Sequence, residues 1–151
     1  MIELRTITEL EELIEWRKEV IRTVFEVEPS EALLEANASY YLKHVADGTH
    51  LAVVVSVDGE EAGCGSICFT DELPSPDNPS GQCAYLMNIY VRPRFRKHGL
   101  AHHLVKALVE EAKLRNCDKI YLEATDDGKP VYLSEGFRDM PDMMKYYENG
   151  N

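Results

Sequence analysis

The stretch NIYVRPRFRKHGLAHHLVKALVEEA, residues 88–112, opens as a strand and closes as an amphipathic helix. Ala101, Leu104, Val105, Leu108, Val109 and Ala112 recur at helical spacing and form one apolar stripe. Arg92, Arg94, Arg96 and Lys97 crowd the point where that helix begins. A helix N-terminus already carries partial positive charge, so each surface cation there costs roughly 0.3–1 kcal/mol. From Tyr85 to Val109 there is no acidic residue, yet five of the chain's 16 Lys and Arg fall in this span. The rest of the molecule holds 27 acids against 11 bases, within a chain whose formal net charge is -11.

Two readings compete for this segregation. One is a solvated basic turn that tolerates some dipole repulsion. The other is an anion site, where unpaired N–H groups of the first helical turn and nearby guanidinium groups converge on phosphate. Gly99 favours the second, because a residue without a side chain lets backbone and phosphate approach closely, and Ala101 is small as well. One glycine in RFRKHGLA matches neither the P-loop nor the dinucleotide fingerprint, which disfavours a nucleotide kinase or a dinucleotide reductase.

Working outward, IELRTI (2–7) alternates like a short strand, and Thr8 with Glu11 fits a capping box opening a helix to about Phe25. Ser30 caps a second expected helix through SEALLEANASYYLKHVA, ended by Asp47 and Gly48. HLAVVVSV (50–57) and AGCGSICF (62–69) read as strands paired antiparallel through the Asp58-Gly59 turn. DELPSPDNPSGQ, with three prolines, is expected to be an exposed loop before the strand CAYLMNIYV. After the 100–112 helix come a strand KIYLEAT, a short helix VYLSEGF closing at Gly136, and one or two strands between Phe137 and Tyr147. This order predicts an α/β fold of the α+β kind: a mixed, twisted sheet of about six to seven strands flanked by about four helices. The strand–helix–strand unit of its second half is expected to be parallel.

At 151 residues, 44% hydrophobic and 28% charged, the composition fits one soluble domain spanning residues 1–151. No apolar run spans a bilayer and the N-terminus is acidic, so a cytoplasmic protein that does not engage membranes is expected. Cys64, Cys68, Cys83 and Cys117 lack CxxC spacing and read as reduced core thiols, with no metal site and no nucleophile–base pair. The acidic surface repels nucleic acid and suits an amine-bearing partner better.

The hexapeptide Arg96-Lys97-His98-Gly99-Leu100-Ala101 resembles the Gln/Arg-x-x-Gly-x-Gly/Ala motif of the GNAT superfamily of N-acyltransferases. The resemblance extends to the run NIYV-x-P-x-FR-x-x-GLA, the strand YLEAT, and the block Gly128-Lys129-Pro130-Val131-Tyr132 leading to Gly136-Phe137, in the order of the small bacterial branch. It implies the GNAT-like acyl-CoA N-acyltransferase fold with acetyl-CoA as co-substrate, and it turns the loop's cations toward pyrophosphate. The contacts it implies come mainly from backbone amides of Arg96, Lys97, His98, Gly99, Leu100, Ala101 and His102. Pantetheine would lie along Ile89, Tyr90 and Val91, with the Ile89 N–H on the thioester oxygen.

The same resemblance makes Tyr132 the acid that protonates the leaving thiolate, and Tyr132 is thereby also a cofactor contact. Many relatives carry a glutamate on the strand before the loop, but QCAYLMNIYV has no acid. Glu123, on the next strand, is therefore the favoured base, directly or through a water that Asn88 and Tyr85 could orient. Trp16, Tyr40 and Tyr41 lie on early helices, where core packing and an aromatic wall for the acceptor are both open. The implied function is acetyl transfer to a small-molecule or protein primary amine, by direct attack in a ternary complex. The alternative is an acetyl-CoA-binding sensor or partner module without turnover. A homodimer formed through the sheet edge of the tail is compatible with the residues but not fixed by them.

Overall fold

In the computed structural model, which describes residues 1–149, the chain runs β1 (Ile2–Ile7), α1 (Leu10–Val24), α2 (Glu31–His44), β2 (His50–Val57), β3 (Glu60–Asp71) and β4 (Gln82–Val91). A 3-10 turn (Pro93–Phe95), α3 (Leu100–Leu114), β5 (Lys119–Leu122) and α4 (Lys129–Ser134) follow. The five strands stand in sequence order in one sheet. Each of β1 to β4 is antiparallel to its neighbour among them, and β5 joins β4 in parallel across α3, as the strand–helix–strand reading requires. Asp58 (φ 50°) and Gly59 (φ 84°) both take positive φ between β2 and β3, which is what a tight hairpin turn of the right twist demands.

Helices cover both faces. Leu100, Leu104, Val105, Leu108 and Ala112 of α3 are buried, and this stripe packs with Val53, Val55, Ile67, Ala84 and Leu86 of the sheet. On the opposite face Leu13, Trp16 and Val20 of α1 and Tyr41 of α2 pack against Ala52, Val54, Cys64 and Tyr90. Trp16 and Tyr41 are thus core residues. No helix among the described residues is long and apolar enough to cross a membrane.

Three expectations are corrected. The tail after Phe137 forms no strand among the described residues, so the sheet has five strands rather than six or seven, and its edge is β5 rather than the tail. The apolar residues there, such as Met143, Met144 and Tyr146, stay exposed, because alternation stabilises a strand only where a neighbour takes up its backbone. Helix α1 is capped by Glu9 without a side-chain hydrogen bond, so the Thr8–Glu11 box does not form. At α2 the expected cap is present: Ser30 Oγ accepts from the Leu33 N–H at 3.1 Å. The proline-rich loop is exposed except at Gly81 and at Asn78, which is 2% exposed and donates from Nδ2 to Glu72 at 3.2 Å.

Strands β3 and β4 leave no room for a side chain at Gly63, where a Cβ would lie 2.4 Å from the Tyr90 carbonyl oxygen and 3.1 Å from Val91 Cα. Both neighbours are backbone and cannot rotate away. Gly63→Ala is expected to lower stability by about 1–3 kcal/mol, read as a lower urea midpoint at constant slope. An unchanged midpoint would mean that the strands have room to separate.

Candidate active site where β4 and β5 part

One residue out of register shapes the centre of the molecule. Cys64 pairs with Tyr90 while Ser66 pairs with Met87, so two steps along β3 match three along β4. Asn88 absorbs the extra residue with φ 58°, a left-handed conformation that asparagine tolerates better than most side chains. Such a bulge puts consecutive residues on one face. Met87 contacts Cys68 and Asn88 accepts from Arg17, both on the α1/α2 side, whereas Ile89 turns to the α3 side near Gly65.

Pairing between β4 and β5 ends at Leu86 with Leu122, while β4 continues to Val91. The Arg92 N–H donates to the Ala62 carbonyl of β3 at 2.8 Å, so alternation turns the peptide groups of Tyr90 toward β3 and those of Ile89 and Val91 to the side β5 has left. Arg96 Nε donates to the Val91 carbonyl there at 2.9 Å. Of the three β4 residues named from the sequence, Ile89 and Val91 face the opening with their peptide groups. Tyr90 is instead a core side chain, 5% exposed.

The loop that follows leads into α3. Lys97 (φ 67°) and Gly99 (φ 77°) both lie in the left-handed region, and Gly99 caps α3 with no side-chain hydrogen bond. The Arg96 N–H closes the 3-10 turn on Pro93 O at 3.3 Å. Among the described residues, no acceptor meets the N–H groups of Lys97, His98, Gly99, Leu100, Ala101 or His102. A Cβ at Gly99 would point into open space, so the glycine is needed for its backbone angle and leaves room beside the amides. Such a nest of outward amides at a helix start accommodates an anion.

The cations divide differently from expectation. Arg92 donates to both carboxylate oxygens of Glu19 at 2.9 Å and lies over Trp16, with its guanidinium carbon 4.4 Å from the ring centroid. Arg94 pairs with Glu60. Both line a cleft of about 660 Å³ with Glu19, Glu60 and Glu61, turned away from the amides, because acids on α1 and β3 lie within their reach. Arg96 and Lys97 stay on the exposed loop. The His102 ring is held by Glu135 Oε2 and Ser134 Oγ, each at 3.2 Å, which ties the start of α3 to α4.

Tyr132 lies on α4 with its ring 3.0 Å from where a Gly128 Cβ would be, and it meets Phe137 edge-on at 6.1 Å. It lines a cavity of about 600 Å³ with Val109, Leu122, Leu133 and Phe137. Its hydroxyl has no hydrogen-bond partner among the described residues, and burial raises its pKa, so the phenol keeps its proton at neutral pH.

On the α1/α2 side of the opening, Tyr85 stacks on Tyr121 with centroids 4.9 Å apart. Burial and then the adjacent Glu123 carboxylate push the Tyr85 hydroxyl up to about 12. Glu123 is not on a strand, since β5 ends one residue earlier, and its side chain is exposed. The fold therefore brings Glu123 to Tyr85, and separately brings Asn88 to Arg17 Nη1 at 2.7 Å. Deeper in, the Tyr40 hydroxyl contacts His50 Nδ1 at 2.7 Å and Cys68 Sγ at 3.1 Å. Cys68 and His50 are 3.6 Å apart, a proximity the spacing of the cysteines did not reveal. Burial raises the Cys68 pKa and so keeps it a neutral thiol, not a nucleophilic thiolate.

Sequence reasoning overlooked Arg17. It stands four residues after Leu13 and four before Ile21 on the buried stripe of α1, and a cation at apolar spacing was the signal that could have found it. Among the described residues, no three of His, Cys, Asp and Glu gather as a metal site.

Comparison with known proteins agrees with this fold. The sequence model of the acetyltransferase (GNAT) family matches residues 10–137. A predicted acetyltransferase from Clostridium acetobutylicum, solved with acetyl-CoA, superposes with a TM-score of 0.85 at 26% identity, covering 97% of this chain and 96% of that one. A GCN5-related N-acetyltransferase from Ralstonia eutropha shares the fold, with a TM-score of 0.79 at 24% identity over 97% of this chain and 99% of that one. The thialysine N-epsilon-acetyltransferase of Sus scrofa is 28% identical over 48% of this chain, and the match spans 56% of that relative's length.

His50 gives the site a pH signature. It is 6% exposed, its Nε2 is buried without a partner, and burial, followed by the charges of His44 and Arg17, lowers its pKa to about 4. In the unfolded chain the ring titrates near 6.5. The unfolded state therefore binds the extra proton first, so stability is fully present above about pH 6.5 and falls as pH drops toward 4, by about 2–3 kcal/mol. Urea unfolding at pH 7 and pH 4.5 checks this; His50→Gln should flatten the difference, and an equal slope in both proteins would contradict it.

Proposed function

The chain belongs to the acetyltransferase (GNAT) family, and from that premise we propose that it transfers the acetyl group of acetyl-CoA to a primary amine by direct attack within a ternary complex. The observation that carries this reading is the run of unbonded N–H groups from Lys97 to His102, opening α3 directly after a strand whose parallel neighbour has ended. Those amides meet the pyrophosphate, and Arg96 and Lys97 add attraction that weakens with salt. The pantetheine arm then completes the β4–β5 pairing along Ile89 and Val91, in the place β5 leaves.

The chemistry follows from three groups. The Ile89 N–H, on the open side of β4, donates to the thioester oxygen as negative charge builds on it. A neutral amine attacks the carbonyl carbon, the carbon–sulfur bond breaks, and the departing thiolate takes the hydroxyl proton of Tyr132. That proton is not engaged elsewhere among the described residues, and the pKa order of phenol above thiol keeps Tyr132 protonated until it is needed. The proton lost by the amine goes to Glu123, directly or through a water held by Tyr85 and the Asn88 amide, and is returned through solvent to Tyr132. Support for Glu123 is its contact with Tyr85 beside the opening. The acceptor is a small-molecule amine or an amine on a protein.

Release of free CoA thiol across an amine panel, together with calorimetry using CoA, tests this. Heat on binding CoA with turnover of some amine is expected. Binding without turnover would favour a sensor, and no binding would remove the assignment. Tyr132→Phe is expected to lower kcat by about 10²–10⁴-fold while leaving CoA affinity nearly unchanged; unchanged kcat would exclude the acid role.

A further inference from the structure

Of the chain's eight arginines, five pair with a carboxylate: Arg5 with Glu12 and Glu61, Arg22 with Glu28, Arg92 with Glu19, Arg94 with Glu60, and Arg115 with Glu111. Arg96 serves the loop before α3, and Arg138 donates to the carbonyls of Leu133, on α4, and Phe137. Arg17 is the exception in kind. It is half-buried between α1, α2 and β4, and among the described residues it has no acidic partner. The acids beside it on its own helix are committed elsewhere, Glu15 to Lys18 at 3.2 Å and Glu19 to Arg92 at 2.9 Å. A partly desolvated guanidinium without a counter-charge is costly, and a chain with 27 acids had ample means to supply one.

What Arg17 touches instead is neutral: two carboxamides, and the Phe25 ring whose centroid lies 5.7 Å from its guanidinium carbon. Nη1 donates to Asn88 Oδ1 at 2.7 Å, at the bulge next to Ile89, and Nε donates to Asn37 Oδ1 at 3.3 Å. Two carboxamides orient the guanidinium without neutralising it, leaving the remaining N–H groups of its planar fork for a ligand. The charge is felt across this face, where it acts on the Tyr41 hydroxyl, the Cys68 thiol and the His50 ring. Glu123 stands at the other end of the opening beside Tyr85. The face therefore offers a fixed cation, an aromatic and thiol lining, and a carboxylate next to the place where strands part.

We propose that Arg17 binds a carboxylate of the acceptor, so that the acceptor class is an amino acid presenting a primary amine to the opening between β4 and β5. This deepens the acetyl-transfer reading and rests on it. A bidentate guanidinium–carboxylate pair holds the acceptor in one orientation, with its amine directed toward the thioester. Diamines without a carboxylate, which the acidic surface would otherwise attract, leave Arg17 unanswered and bind less well.

The test pairs acceptors that differ only by the carboxylate: lysine with 1,5-diaminopentane, and ornithine with 1,4-diaminobutane. For the wild-type protein the carboxylated member is expected to have the higher kcat/KM by about 10- to 100-fold, the range of a charge-assisted hydrogen-bonded pair. In Arg17→Gln, which can still reach Asn88, that ratio should collapse toward one, and Arg17→Lys should recover part of it. Taking the ratio within one protein cancels any general loss of folded enzyme. A wild-type ratio of one or below, or a ratio unchanged in Arg17→Gln, overturns the proposal. Calorimetry of lysine binding to the CoA-saturated protein separates the two readings. Binding that requires Arg17 without turnover of any amine would overturn acetyl transfer and support the carboxylate site. Lysine binding that is absent, or equal in Arg17→Gln, would overturn the site whatever the turnover.

Discussion

Backbone amides that lose their strand or helix partners must be met by something else, and this molecule concentrates such amides in one place. Strand β5 stops pairing at Leu122 while β4 runs on to Val91, and within a few residues α3 begins with its first-turn N–H groups unbonded. The two sets of donors adjoin because Gly99 and Lys97 take left-handed angles that turn the chain from strand into helix over a short loop. The α3 stripe then clamps the arrangement, with Leu104 and Leu108 almost fully buried against the sheet. An extended thioester carrier with a phosphate-rich end answers both sets at once, which is why the proposed chemistry follows the geometry so closely.

The asparagine bulge is the second half of the same design. Without the extra residue, Asn88 would project toward α3 and Ile89 toward α1, and the open peptide groups would belong to different residues. With it, Asn88 meets Arg17 on the α1/α2 side while the Ile89 amide faces the gap. On the proposed reading, cofactor and acceptor approach one carbonyl from opposite faces of the sheet. The aromatic and thiol cluster of Tyr40, His50 and Cys68 lines the α1/α2 side as neutral, mutually hydrogen-bonded groups.

Charge is sorted with similar economy. Of the four cations that crowd residues 92–97, Arg92 and Arg94 are absorbed by Glu19 and Glu60 in a cleft of their own, so the proposed anion site rests more on amides than on side-chain charge. Arg17, by contrast, keeps its charge on the α1/α2 face. The formal charge of -11 describes the surface as a whole and says little about either site, because screening confines each pair to its neighbours.

Local physics was enough to read much of this from the sequence. The apolar stripe of α3, the Asp58-Gly59 turn, the Ser30 cap and the glycine that opens α3 each depend on residues a few positions apart. The antiparallel pairing of β2 with β3 and the parallel crossover followed from those elements. Other features depend on partners distant in the chain, and spacing carries no record of them. Whether 137–147 becomes a strand depends on a neighbour's edge, and the turning of Arg92 and Arg94 depends on acids from α1 and β3. The bulge at Asn88, the meeting of Tyr85 with Glu123 and the unanswered charge of Arg17 arise only when β4 is laid beside β3, β5 and α1. Periodicity determined which residues face a core; tertiary packing alone decided which polar groups were left without partners, because hydrogen-bond satisfaction is a property of three-dimensional neighbours.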